Sequence, residues 1–165
     1  MDEERFLQLL DEHRRAVAGV AAAYSRTAED RRELTQEIHA QLWKAWPRYD
    51  EARPFSTWMY RVALNVAISH ARGRWSAEDR TDPLEKAQDA VAPELPRPDE
   101  RALLLRTLIA ELDPLNRALV LLYLEERSHK ETAEILGLSE ANVAKRLSRV
   151  KQQLRERMTG GAHGP

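Results

Sequence analysis

The apolar residues of the first half of the chain recur at helical spacing. A first helix is predicted to end near Ser25, and a second is predicted to begin at the N-cap Thr27 and to end before Pro47. The apolar positions are Phe6, Leu10, Val17, Val20 and Tyr24 in the first helix and Leu34, Ile38 and Leu42 in the second. Because few stretches alternate as half-buried strands do, the pattern predicts an all-α fold.

A third helix follows the loop at residues 47–54, and its two faces differ. The predicted apolar face consists of Phe55, Trp58, Met59, Val62 and Val66. The opposite face carries Arg61, Asn65, Ser69 and Arg72. Residues 52–77 contain four arginines and no acidic residue, which gives this stretch a charge of +4. A helix of this kind packs on a core and leaves a positive surface for an anionic partner.

The second half of the chain predicts further helices. Two apolar helices cover residues 102–112 and 115–124, and the second of them follows the cap Asp113 and a proline in its first turn. Ser128 and Glu131 then have the spacing of a capping box, which opens another helix.

Residues 128–154 have the sequence features of a helix-turn-helix that reads duplex DNA. Ala133 is the small residue where two helices cross, Gly137 is a left-handed turn residue, and Ser139 caps the second helix. The buried stripe of that helix is Val143, Leu147, Val150 and Leu154. Donors suited to phosphates and purine edges are Asn142, Lys145, Arg146, Arg149 and Lys151. The alternative is an amphipathic helical hairpin whose basic side chains are merely solvated.

An acidic, proline-containing segment separates the two halves. Residues 76–98 carry six acidic against three basic residues, and they also include four prolines. We therefore predict two small helical domains, at residues 1–75 and 99–158, joined by a flexible linker over residues 76–98. The second domain contains the helix-turn-helix, and residues 159–165 are predicted to be a disordered tail.

The composition excludes several functional classes. The chain has no cysteine, and its five histidines do not pair at metal-binding spacing, so that neither a metal nor another cofactor is predicted. It has no apolar run of about 18 residues, and its first residues, MDEE, have the wrong charge for a secretory signal. We expect a cytoplasmic protein without membrane insertion. The net charge of −1 conceals a second basic stripe, because residues 140–157 carry six basic against two acidic residues.

Three stretches of the sequence carry a family resemblance. They are AEDRRELTQE at residues 28–37, RPFSTWMYRVALN at residues 53–65, and the stretch from LDPLNR at residues 112–117 to VAKRL at residues 143–147. They resemble, in this order, the core-polymerase-binding helix, the promoter-melting signature and the −35-reading domain of extracytoplasmic-function (ECF) sigma factors. The resemblance spans nearly the whole chain. It implies an alternative sigma factor, which directs RNA polymerase in promoter recognition and transcription initiation and has no catalytic activity of its own.

The resemblance also implies roles for three sets of residues. Core RNA polymerase would be bound by Arg32, Glu33, Gln36 and Glu37. The −10 region of promoter DNA would be bound by Arg53, Tyr60, Arg61, Asn65, Ser69 and Arg72. The −35 element would be bound by Asn142, Lys145, Arg146, Arg149 and Lys151. An anti-sigma factor is a further expected partner, and since the chain lacks cysteine, any redox signal would be sensed elsewhere.

The aromatic residues of the melting signature are expected to divide between core and surface. Phe55 and Trp58 are predicted to be buried, whereas Tyr60 is predicted to be exposed. The loop at residues 47–53, beside the acid-free third helix, is expected to supply a pocket for an unstacked base and a basic surface for single-stranded DNA.

The chain departs from the family's pattern at several positions. The family often has aspartate at the position of Ser69, a basic residue at that of Ala144 and a small hydroxyl residue at that of Lys145. Arg146 and Arg149 are therefore the strongest candidates for −35 reading. A bidentate arginine–guanine contact contributes roughly 1–3 kcal/mol to discrimination between bases.

Two other functional classes match parts of the sequence. A regulator that binds an operator as a dimer would use the same helix-turn-helix, but it needs a dimerisation seam or a ligand pocket in the first domain. An enzyme would use paired carboxylates such as Glu33 and Glu37 as acid and base. No nucleophile, metal set or phosphate-binding loop accompanies these two residues in the sequence.

Overall fold

A computed structural model describes residues 2–78 and 100–162, with side chains at residues 2–73 and 100–160. Every regular element in these ranges is a helix and none is a strand, which confirms the predicted all-α fold. The helices are α1 (Glu3–Glu12), α2 (Arg14–Ala23), α3 (Ala28–Ala45), α4 (Phe55–Glu78), α5 (Glu100–Ala110), α6 (Pro114–Leu124), α7 (His129–Leu136) and α8 (Glu140–Ala162). A 3₁₀ turn, Trp46–Arg48, follows α3.

The chain divides into two compact units, Met1–Ala92 and Pro93–Pro165. Helix α4 runs to Glu78, so residues 76–78 of the predicted linker are helical, and residues 79–98 lie outside the described part of the chain. At the other end, α8 includes residues 159–162, so that the first four residues of the predicted disordered tail are helical. None of the helices in the described ranges is long and apolar enough to cross a membrane.

The first predicted helix is wrong, because it is two helices with a break at His13. The backbone of His13 lies at φ −109° and ψ 14°, outside helical geometry. Its Nδ1 donates to the carbonyl oxygen of Leu9 at 2.9 Å, satisfying a carbonyl at the end of α1. The break lets α1 pack Phe6 against Trp43 and Trp46, with ring centroids 5.2 Å apart in both pairs. Apolar spacing alone does not reveal such a break.

Helix α3 forms as the sequence predicts. Thr27 Oγ1 accepts from the backbone amide of Asp30 at 3.0 Å, which confirms the N-cap. Leu34, Ile38 and Leu42 are fully buried against α2 and α4, which confirms the predicted stripe.

The buried face of α4 is rotated from the predicted one. Phe55 and Met59 are buried as predicted, but Val62 and Val66 are only half-buried. The buried stripe instead continues through Tyr60, Ala63, Leu64, Ala67, Ile68 and Ala71. Alanines one turn apart let α4 approach its neighbours closely. A prediction based on the large apolar side chains overlooks a buried face that consists partly of alanine.

A polar contact fixes α3 against α4 beside this core. His70 on α4 lies 3.0 Å from Asp30 on α3, measured from Nε2 to Oδ1, and both side chains are largely buried. Asp30 also stands in the first turn of α3, where a carboxylate is favoured by the helix dipole. The pair therefore joins the start of α3 to the later turns of α4.

In the second unit, the predicted caps of α6 and α7 are confirmed. Asp113 accepts from the amide of Asn116 at 2.8 Å, and Ser128 accepts from the amide of Glu131 at 3.1 Å. The buried Arg117 secures the turn before α6, since its Nη2 donates to the carbonyl oxygens of Ala110 at 2.8 Å and Leu112 at 2.9 Å. These bonds satisfy the last carbonyl group of α5 and a carbonyl group of the turn that follows it.

Helices α7 and α8 form the predicted helix-turn-helix. Gly137 adopts the left-handed conformation at φ 69°, and Ser139 Oγ accepts from the amide of Asn142 at 3.1 Å. All four predicted stripe positions of α8 are buried: Val143, Leu147, Val150 and Leu154. The first two pack with Leu119 and Ala133, and the last two with Leu108 and Val120, so that α8 spans two adjoining clusters.

Candidate polymerase and nucleic-acid interface

The residues assigned to polymerase binding share the exposed face of α3. Arg32, Glu33, Gln36 and Glu37 are all exposed. Their spacing places them on two successive turns of one side of the helix, opposite the stripe through Leu34. The arrangement is a compact polar surface that offers both donors and acceptors.

A shallow groove of about 430 Å³ lies between α3 and α4. It is lined by Glu37, Gln41, Asn65, Val66, Ser69 and His70. The groove thus brings a residue of the polymerase-binding set, Glu37, beside Asn65 and Ser69 of the −10 set. Arg61 and Arg72 are exposed further along the face of α4 that carries Asn65 and Ser69, as predicted.

A second pocket, of about 300 Å³, is formed by the loop between α3 and α4. Its lining is Arg48, Tyr49, Asp50, Arg53 and Trp58. Asp50 shapes the loop, because its carboxylate accepts from the amide of Ala52 and its carbonyl from the amide of Arg53, both at 3.0 Å. Tyr49 Oη donates to the carbonyl oxygen of Arg53 at 2.8 Å and closes the turn.

The walls of this loop pocket are aromatic. The rings of Tyr49 and Trp58 lie 5.0 Å apart, and Tyr49 stacks on Trp46 at 5.2 Å. Burial, followed by the nearby Glu51 carboxylate, raises the pKa of Tyr49 above its ordinary value of 10.0. Aromatic walls beside two arginines can stack an unpaired base and hold its phosphate.

One prediction about this pocket needs correction, and two of its lining residues were not predicted. Trp58 was predicted to be buried, but it is half-buried and lines the loop pocket, whereas Phe55 is buried as predicted. Tyr49 and Arg48 were not singled out. Their signal in the sequence is an aromatic residue beside an arginine in a short loop between two helices.

The prediction that Tyr60 is exposed is wrong. Its side chain is 1% exposed and belongs to the core of the first unit. It follows Met59 on the rotated buried face of α4, and its neighbour Arg61 is the residue that faces solvent. A side chain this deeply buried is not available to DNA, so Tyr60 does not belong to the −10 set.

Four of the five residues assigned to −35 DNA share one side of α8. Asn142, Arg146 and Arg149 lie at i, i+4 and i+7 on one stripe, and the exposed Lys145 flanks it. Arg146 Nε donates to Asn142 Oδ1 at 3.1 Å. This face flanks the buried stripe: Asn142 and Arg146 are half-buried beside it, and Lys145 and Arg149 are exposed to solvent.

Lys151 is not brought together with these four residues. Two positions after Arg149, it is rotated about 200° around the helix from that residue. Its Nζ lies 4.3 Å from the centre of the Tyr123 ring, a cation–π contact. There it lines a groove of about 230 Å³ together with Leu105, Ile109, Val120, Tyr123, Leu124, Leu154, Arg155 and Met158.

Each of the two units matches a known protein family. Residues 9–77 match the family model of sigma-70 region 2, and residues 94–154 match that of sigma-70 region 4. The RNA polymerase sigma factor NccH of Alcaligenes xylosoxydans xylosoxydans is 28% identical over 163 residues, covering 93% of this chain and 86% of NccH. The ECF RNA polymerase sigma factor SigE of Mycolicibacterium smegmatis is 29% identical over 156 residues, covering 90% of this chain and 60% of SigE.

A solved structure of CnrH in complex with the cytosolic domain of CnrY has the same fold. The TM-score is 0.69 at 25% sequence identity, covering 96% of this chain and 90% of that one. One matched sigma-70 region falls in each compact unit, and together they define a transcription initiation factor of the sigma-70 class. The chain belongs to the ECF sigma factor family. This assignment favours the sigma-factor interpretation over an operator-binding regulator or an enzyme.

Proposed function

We propose that the protein is an alternative sigma factor that binds core RNA polymerase, directs it to promoters and has no catalytic activity of its own. The groove between α3 and α4 is the observation that supports this most directly. There Glu37 of the polymerase-binding set lies beside Asn65 and Ser69 of the −10 set. A sigma factor must hold polymerase and the opening DNA at once, and adjoining surfaces on one helix pair meet that need.

In this proposal, strand opening uses the loop pocket and the exposed face of α4. An unstacked base enters the loop pocket and packs against the aromatic wall of Tyr49 and Trp58, while Arg48 and Arg53 neutralise the flanking phosphates. Stacking on an aromatic side chain contributes roughly 1–3 kcal/mol per base, which offsets much of the cost of taking the base out of the duplex. Beyond the pocket, the strand follows Arg61, Asn65, Ser69 and Arg72 along α4.

The −35 element is read by the exposed side of α8. Arg146 and Arg149 contact bases, and Lys145 binds the backbone phosphates. The net charge of −1 is compatible with this role, because polymerase contributes most of the affinity and the basic residues need only select the site.

An anti-sigma factor is the proposed regulatory partner. CnrH, the structural relative, was solved with the cytosolic domain of CnrY bound. A partner of this kind would cover the exposed faces of α3 or α8 and so compete with polymerase or DNA. We place the protein in the cytoplasm, where its polymerase partner acts.

Transcription from a promoter library tests the proposal. Core polymerase is assayed with and without the protein, and initiation at a defined set of promoters is expected only when the protein is present. Glu37→Ala should weaken the complex with core polymerase, whereas Lys44→Ala, at an exposed position of the same helix outside the proposed surface, should leave it unchanged. Stable DNA binding by the protein alone, with no dependent initiation at any promoter, would refute the sigma-factor function.

A further inference from the structure

The side chains of Asn142 and Arg146 are joined on the DNA-facing side of α8. The bond from Arg146 Nε to Asn142 Oδ1 is 3.1 Å long, and both side chains are half-buried. The backbone amide of Asn142 is itself held by Ser139 Oγ at 3.1 Å. The cap therefore fixes Asn142 at the start of the helix, and Asn142 fixes the arginine one turn later.

This bond determines which edge of the guanidinium is available. The group carries five N–H donors in a planar fork, and Nε–H is already used by Asn142. The terminal Nη groups remain for a ligand, and two parallel donors match the O6 and N7 acceptors of guanine in the major groove. Holding Nε also restricts the rotation of Arg146 before DNA arrives, which lowers the entropy lost on binding.

The same bond limits what Asn142 can read. An asparagine recognises adenine through a pair of bonds, accepting at Oδ1 from the N6 amino group and donating from Nδ2 to N7. Because Oδ1 of Asn142 accepts from Arg146, an adenine would have to share that atom with the guanidinium. Asn142 is therefore better placed to orient Arg146 than to recognise an adenine.

We propose that Asn142 is a positioning residue, which orients Arg146 to read a guanine in the −35 element. This inference rests on the proposed function of the second unit. It changes the role of Asn142 from a DNA contact to a support for one. It also assigns the guanine-reading donors to the terminal nitrogens of Arg146.

The test uses the full-length protein with core polymerase on promoters that carry each of the four bases at every −35 position. Arg146→Ala should abolish the preference for guanine at one position. Asn142→Ala should reduce that same preference by about 3- to 10-fold, a part of the roughly 5- to 150-fold discrimination of a bidentate contact. Asn142→Asp should retain it, because a carboxylate still accepts from Nε. The double alanine variant should be no less selective than Arg146→Ala alone.

A matched control lies further along the same helix. Gln152 Nε2 donates to Glu156 Oε1 at 3.3 Å, also four residues apart, and Gln152→Ala should leave the base preference unchanged. Circular dichroism verifies that each variant keeps its helices. Loss of an adenine preference in Asn142→Ala would overturn the proposal, because it would make Asn142 a reader.

Two further outcomes distinguish the positioning role of Asn142 from the proposed sigma-factor function. If Arg146→Ala abolishes guanine preference and Asn142→Ala leaves it intact, positioning is refuted while −35 reading by α8 stands. If initiation never depends on the protein, the sigma-factor function fails and the inference fails with it.

Discussion

Replacing Gly137 with alanine tests the turn on which the helix-turn-helix depends. Gly137 lies at φ 69°, and a Cβ placed on it meets no atom within 4 Å. Steric clash with the rest of the unit therefore contributes nothing, and the whole cost is that of the backbone conformation. A left-handed conformation costs an L-residue about 1–2 kcal/mol. The unfolded chain has less conformational entropy with alanine than with glycine, which offsets about 0.4–1 kcal/mol of that cost. We expect Gly137→Ala to destabilise the second unit by about 1 kcal/mol.

Gly19 is the matched control for this substitution. A Cβ placed there also meets no atom within 4 Å, but Gly19 lies in the interior of α2 with helical backbone. Alanine is favoured over glycine in a helix by about 0.5–1 kcal/mol. The same chemical change in equally open space should therefore stabilise the first unit.

Urea denaturation with two probes separates the two effects. All four tryptophans lie within residues 43–75, so their fluorescence follows the first unit, while far-ultraviolet circular dichroism follows both. Gly19→Ala should move the fluorescence transition to higher urea, and Gly137→Ala should move only the circular dichroism transition, to lower urea. If Gly137→Ala leaves stability unchanged or raises it, backbone strain is not the reason for glycine at this turn.

Three further substitutions test other parts of the fold. Arg117→Ala leaves two carbonyl groups without their donor and should cost about 2 kcal/mol by circular dichroism, whereas the exposed Arg106→Ala should change stability by less than about 0.5 kcal/mol. Tyr60→Ala should destabilise the first unit by about 3–5 kcal/mol, and Arg61→Ala should instead impair promoter opening without changing the fluorescence transition. Burial lowers the pKa of His39 from its ordinary value of 6.5. Stability should therefore fall as the pH drops below that value, and His39→Gln should show a shallower fall.

Local features of the fold were predictable because their causes lie within a few residues. The caps Thr27, Ser128 and Ser139 each bind an amide three positions ahead, and spacing alone identifies them. Gly137 was predictable for the same reason, since a left-handed turn residue between two helices favours glycine. The buried stripe of α8 followed from a 3.6-residue period.

The errors lie where packing between elements decides the outcome. His13 interrupts the first helix so that Phe6 can reach Trp43 and Trp46 at the C-terminal end of α3, a contact more than 30 positions away. Tyr60 is buried because alanines set the rotation of α4, and apolar size had suggested another face. Lys151 was assigned to DNA from its charge, but the ring of Tyr123 holds it on the other side of α8. Packing between helices decided each case.

The sequence predicted sets of residues for the candidate site, but it did not predict how those residues are arranged in space. The charge pattern and the resemblance identified the face of α4 through Arg61 and Arg72, and the structure places both on the surface. The adjacency of Glu37 to Asn65 depends on how α3 packs on α4, which no local pattern encodes.

Permanganate footprinting of promoter DNA tests the central claim most directly, because it detects thymines that have left the duplex. Core polymerase, the protein and the two together are compared on a promoter selected from the library. Reactive thymines in the −10 region should appear only with both present, and Trp58→Ala should weaken them. Reactivity that is identical with and without the protein, or protection of DNA by the protein alone with no opening, would contradict a sigma factor.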